Sequence, residues 1–110
     1  MSRPLQQQII ARALKLIEDE AHWTSIAIAR KADGRTCESI HPQAVRFCAV
    51  GALDRAAYEL FGAREGKRRA RKAEKFVLAA NNRPHDNLPL INDQEGHAVI
   101  VAMFKVAIGS

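Results

Sequence analysis

The segment Ala44-Val45-Arg46-Phe47-Cys48-Ala49-Val50-Gly51-Ala52-Leu53 constrains the fold of this chain more than any other. Small side chains dominate it, and a helix surfaced with small side chains can be approached closely by a crossing helix. A central helix is therefore expected at about residues 43–61. His41-Pro42 would mark its start, because proline suits the first turn of a helix and not its interior. Gly62 would end it, since glycine closes a helix without steric penalty.

The flanking segments read as helices that pack on this one. Leu5, Ile9, Ile10, Ala13, Leu14 and Ile17 recur at helical spacing behind Pro4, which predicts a helix over 5–20. Glu18, Asp19 and Glu20 crowd its last turn, where the helix dipole is already negative, so a cationic neighbour is expected there. Helical periodicity fails from Trp23 to Ser39. Within that stretch Asp33-Gly34 is a hairpin signal, so a short hairpin or structured loop is expected. A third helix at about 65–81 sets Ala70, Ala73, Phe76, Val77 and Ala80 on one side and Lys67, Arg68, Arg71, Lys72 and Lys75 on the other. Residues 81–89 have turn-forming composition. Asn92 or Asp93 can cap a last helix, whose stretch Ala98–Phe104 is apolar all round and is expected in the middle of the molecule; its β-branched content also permits a buried strand. The fold class expected is mainly α: about four helices around one core, with a short β-hairpin or structured loop after the first.

A chain of 110 residues suits a single domain. Two cysteines, Cys37 and Cys48, are too few for a disulfide scaffold and fit a reducing compartment. The first residues, Met1 to Gln8, lack the apolar run of a secretory leader, and the longest apolar stretch falls short of the ~20 residues of a membrane span. A cytoplasmic location with no membrane partner is expected.

The Phe47-Cys48-x-x-Gly51-Ala52-Leu53 segment and the downstream Asn92-Asp93 together resemble a small bacterial and phage domain of unknown function, family 6197. In that pattern an aromatic residue precedes the cysteine, and Phe47 stands where tryptophan is frequent. The resemblance covers most of the chain and implies no activity or cofactor.

Three chemistries can be drawn from the residues. Cys48, His97 and Asp93 could form the nucleophile, base and orienting acid of a thiol-dependent hydrolase. Against this, Cys48 is expected several residues inside a helix, and no oxyanion-hole sequence is visible. Its plainer reading is a small buried hydrophobe, with Asp93 as a cap and His97 as a first-turn polar residue. A metal site could be drawn from Cys37, His41, Cys48 and one more histidine, but a second close pair of ligands is missing, so no metal is expected. His22 and His85 read as surface residues. Trp23 is expected to pack over the start of the second helix with its indole nitrogen bonded; its functional reading is the wall of a small cleft with Cys48 and Asp93.

The strongest feature for a partner is charge. Between Arg64 and Lys75 seven basic residues stand against two acids, a surplus of five, while the rest of the chain is balanced. The Lys67, Arg68, Arg71, Lys72 and Lys75 face could neutralise phosphates non-specifically. No aromatic residue interleaves with it in the sequence, as stacking on single strands would want. The competing reading is a merely solvated face, or one compensated by Glu18-Asp19-Glu20 or by a second copy in a self-associating structural protein. An uncharacterised module that acts by binding, without a cofactor, is the expectation; the alternatives are the thiol-dependent hydrolase using Cys48 and His97 and a structural self-associating protein.

Overall fold

The structure, a computed structural model, describes residues 4–110; Met1, Ser2 and Arg3, part of the segment read above for a leader, lie outside the described residues. Four helices and a three-stranded antiparallel sheet make up the fold. Helix α1 (Leu5–Ile17) follows Pro4 and buries Ile9, Ile10, Ala13 and Ile17 along one stripe. A 3-10 turn at Glu20–His22 comes next, capped by the Asp19 carboxylate, which accepts from the Ala21 amide. The strands are β1 (Ala29–Lys31), β2 (Thr36–Cys37) and β3 (Ala44–Phe47), in the order β2-β1-β3. After β3 come α2 (Ala49–Ala80), α3 (Leu88–Glu95) and α4 (His97–Ile108).

The hairpin after the first helix is present. Strands β1 and β2 pair Ala29 with Cys37 and Arg30 with Thr36 around Asp33-Gly34. Asp33 accepts from the Arg35 amide, and the Arg30 guanidinium donates to the Gly34 carbonyl. The third strand replaces what the small-residue run led us to read as helix from residue 43. Residues 44–47 alternate in burial, with Ala44 and Phe47 inward, and they pair with β1 across a bulge between Arg30 and Lys31. Pro42 sits inside the turn closed by the Ala44 amide on the His41 carbonyl, a position its fixed φ suits as well as a helix start.

Helix α2 is not one rod. Straight, its 32 residues would run ~48 Å, more than the longest dimension of the molecule, 37 Å. It breaks at Gly62 (φ 82, ψ 172), a conformation essentially reserved for glycine. The chain then doubles back. A Cβ at Gly66 would lie 3.0 Å from the Ala57 carbonyl and from the Tyr58 amide, and Arg71 pairs with Asp54, so residue numbers rise along one arm as they fall along the other. The product is a helical hairpin with an N-terminal arm rooted in the sheet and a C-terminal arm carrying the basic segment.

Helix α1 packs against α2, and α4 closes the other side by touching α1, α2 and α3. The core joins Ile9, Ile10, Ile17, Leu53, Val77, Leu88, Ile100 and Phe104. Gln7, itself buried, donates to the carbonyls of Ala107, Ile108 and Ser110 and ties the start of α1 to the end of α4. Helix α4 is helix rather than strand, but it is not central. It buries Ile100, Met103, Phe104 and Ala107, while Ala98, Ala102 and Val106 face outward. Hydrophobicity on all sides therefore did not require burial on all sides, because single exposed apolar residues cost little in a small protein. Among the described residues no helix is long and apolar enough to cross a membrane.

Candidate functional site

Cys48 does not lie inside a helix, as the sequence led us to expect. It is the N-cap of α2, in extended conformation between β3 and the first turn. Its Sγ accepts from the Gly51 amide at 3.3 Å, and the Cys48 amide donates to the Ile28 carbonyl at 3.1 Å. The Ile28 carbonyl presses on Gly51 as well: a Cβ there would sit 2.0 Å from that oxygen. Ala52 and Leu53 are wholly buried behind it.

Asn92 closes the same end of α2. It is 0 % exposed, and its amide is fully used. Oδ1 accepts from Trp23 Nε1 at 2.8 Å and from the Ala49 amide, the first of the helix, at 2.9 Å. Nδ2 donates to the Thr24 carbonyl at 3.2 Å and to Asp93 Oδ1 at 3.1 Å. An uncharged carboxamide offers two acceptor and two donor positions, and each has a partner here. Asp93 Oδ1 also accepts from the Ile26 amide at 2.9 Å. That bond holds Ile26 at φ 65, a backbone region unfavourable for a β-branched residue, with its side chain 83 % exposed. The two residues thus clasp the loop 23–28 to the start of α2.

Of the three residues read as a triad, the clasp brings two into one cleft of about 250 Å³, where Cys48 and Asp93 line the wall with Ile26, Ile28, Val50 and Pro89. Trp23, bonded at its indole nitrogen as expected, is part of the clasp and not of that wall. His97 is engaged elsewhere. Its Nε2 lies 2.6 Å from the Ile17 carbonyl at the end of α1, and its ring lies 5.6 Å from that of Trp23. No hydrogen bond joins it to Cys48 or Asp93 among the described residues. Burial pushes the Cys48 thiol above its ordinary value; the Gly51 and Val50 amides oppose this, and the Asp93 and Asp54 carboxylates add to it. A thiol so placed is a helix cap held neutral rather than a thiolate.

The other cysteine, Cys37, is half-buried, and both thiols are free. Among the described residues no group of three His, Cys, Asp or Glu side chains could hold a metal ion. His22 and His85 are exposed, and His41 accepts from the Gln43 amide.

The basic face lies on the C-terminal arm of α2, with Lys67, Arg68, Arg71, Lys72 and Lys75 all exposed. It is compensated in part, though not by the acids at the end of α1, since Glu18, Asp19 and Glu20 form no ion pair among the described residues. Arg68 pairs with Glu65 at 2.9 Å, and Arg69 lies 3.8 Å from the same carboxylate and over the Phe61 ring. Arg71 is held by Glu74 and Asp54. Among the described residues Lys67, Lys72, Lys75 and Arg64 have no carboxylate oxygen within 4.0 Å. A second cleft, of about 350 Å³, opens beside Lys67 between the two arms and the segment after β2. It escaped sequence reasoning because its walls come from residues 28, 38–40, 54, 58, 63 and 67, which only the break at Gly62 assembles.

Fold and clasp together define a small, mainly α protein whose helical hairpin is capped at its root by an asparagine from a later helix. The clasp is built from the residues Phe47, Cys48, Gly51, Asn92 and Asp93 that carried the resemblance noted above. The chain belongs to the Family of unknown function (DUF6197), whose model matches residues 1–110. Comparison with curated proteins finds no match, and comparison with solved structures finds none either.

Proposed function

We propose that this protein acts by binding, and that its ligand is a nucleic acid met by the C-terminal arm of α2. The observation that carries this reading is the set of exposed cations, Arg64, Lys67, Lys72 and Lys75, left without a direct ion pair among the described residues on one arm. Along a helix they span ~16 Å, and each can displace a counterion from a phosphate, although Lys67 also lies in the field of Asp54 and Lys72 in that of Glu65. Arg68 and Arg71 lend charge but are held by their own carboxylates, so they stiffen the surface more than they donate to it. Two free thiols suit a reducing compartment, where nucleic acid is at hand.

Binding of this kind is electrostatic, and its mark is salt dependence. With four phosphates neutralised on a single strand, the slope of log K against log salt is about −3. Fluorescence anisotropy of a labelled oligonucleotide over a range of salt concentrations measures it. Replacing Lys72 and Lys75 by glutamine should lower the slope by about 1.4 and leave the fold unchanged. No retention of any oligonucleotide at low salt would end the proposal.

A further inference from the structure

We propose that the cleft between the two arms of α2 receives one unstacked base of a single-stranded nucleic acid whose phosphates lie on the basic arm. This rests on the binding reading above and narrows it to a substrate class.

The cleft's volume of about 350 Å³ lies at the small end of the range for organic ligands, ~300–1,000 Å³. Its walls divide by chemistry. Ile28 and Ile40 are apolar, and Tyr58, a residue 36 % exposed, adds an aromatic ring of the kind that single-strand binders use as a sequence-tolerant platform. Ser39 adds a polar side chain to the wall, and its carbonyl accepts from Arg55. Asp54 contributes a carboxylate, one oxygen of which accepts from Arg71. Lys67, in the same wall, is also a member of the cationic arm, so a strand tracking Lys75, Lys72 and Lys67 arrives at the cleft mouth.

The aromatic that the basic segment lacks in sequence is therefore provided in space. Gly66, with no side chain, lets the arms close until Tyr58 and Lys67 share one wall. Carboxylates at the rim, Asp54 and Glu38, accept hydrogen bonds only. They favour a base edge rich in amino hydrogens, so cytosine should bind better than thymine.

Anisotropy titrations of the full chain against labelled oligodeoxycytidylate and oligothymidylate of about 12 nucleotides, and against a duplex, test this. The expected results are tighter binding of the single strand than of the duplex and a preference of roughly tenfold for the cytosine strand. Tyr58→Ala should weaken single-strand binding roughly tenfold with the salt slope unchanged, and Tyr58→Phe should restore most of it. Unchanged Trp23 fluorescence would show that the Tyr58→Ala fold is intact. If Lys72→Gln lowers the salt slope while Tyr58→Ala binds like the parent, or if duplex and single strand bind equally, the base-binding cleft is overturned and the electrostatic reading stands. If no oligonucleotide is retained at low salt, both fall.

Discussion

The carbonyl of Ile28 lies so close to Gly51 that any side chain at residue 51 would meet it, a Cβ falling 2.0 Å from the oxygen. The contact is backbone against backbone, so neither partner can swing away. Cys48, three residues earlier, donates its amide to the same carbonyl. The glycine in the Cys48-x-x-Gly51 segment is therefore the condition for the sheet to sit on the first turn of α2.

Gly51→Ala is expected to cost about 3 kcal/mol or more, at the upper end of the penalty for overpacking, because relief requires the strand to leave the helix. Urea denaturation followed by Trp23 fluorescence measures it. A midpoint within error of the parent would show that the approach is looser than the geometry implies.

Asn92→Ala strips partners from the Trp23 indole, the Ala49 amide and the Thr24 carbonyl at once. Each buried polar group left unmade costs about 1–3 kcal/mol, so the variant should lose a large part of the protein's stability, with a changed Trp23 emission. Asn92→Asp should rescue only weakly, since it keeps the acceptor but turns the donor to Thr24 into a second acceptor and buries a charge.

Cys48 should react slowly. Its thiol is pushed up by burial, so at neutral pH it is protonated and shielded, and iodoacetamide should label Cys37 first and Cys48 mainly after denaturation. Cys48→Ser, which retains a capping atom, should stay within about 1 kcal/mol of the parent, whereas Cys48→Ala should lose about 1 kcal/mol more. Fast alkylation of Cys48 in the native protein would contradict this and revive a nucleophilic role.

Glu59 joins α2 to α1 through Arg12 at 2.9 Å and pairs at 3.0 Å with Arg55, one turn back on its own helix. Burial pushes its carboxyl up, but the two guanidinium groups outweigh burial and hold it below its ordinary 4.5. A group lowered on folding contributes in full above its unfolded value and loses that contribution as pH falls through the folded one. Asp54 acts with the opposite sign. Burial raises its carboxyl against the pull of Arg71, so its protonation favours the folded chain as the pH falls. Glu59→Gln should therefore flatten the acid-side loss of stability, seen as urea midpoints from neutrality down to about pH 3. A loss as steep as the parent's would place the acid sensitivity elsewhere.

Gly62→Ala should destabilise by about 1–3 kcal/mol, although a Cβ there meets nothing within 4 Å. The cost is entirely in the backbone, at φ 82 and ψ 172. Comparing Gly62→Ala with Gly62→Asn by thermal unfolding checks this. Equal stability of all three proteins would mean that the hairpin bends without strain.

Much of this molecule was legible in its residues. The stripe Ile9, Ile10, Ala13 and Ile17 has a helical period long enough to be unambiguous, and Asp33-Gly34 forms its turn from local preferences alone. The strand at Ala44–Phe47 was hidden because four alternating residues are too few to outweigh the small-residue signal that continues into α2. The cap at Cys48 was hidden with it, since that strand moves the helix start from about residue 43 to Ala49.

The sequence by itself determined α1, both arms of α2, α4, the hairpin turn, the break at Gly62 and the concentration of charge on one amphipathic segment, because periodicity, turn chemistry and composition act over a few neighbouring residues; it missed the short α3, inside which Asn92 and Asp93 lie instead of capping the last helix, whose N-cap is Gly96. Tertiary structure alone decided which end of α2 Asn92 would cap, that His97 would turn to Ile17 rather than to Cys48, and that Tyr58 would share a wall with Lys67. Those relationships join residues from 9 to 80 positions apart, and only the packing of the core, with the close backbone approaches at Gly51 and Gly66, brings such distant groups within bonding range.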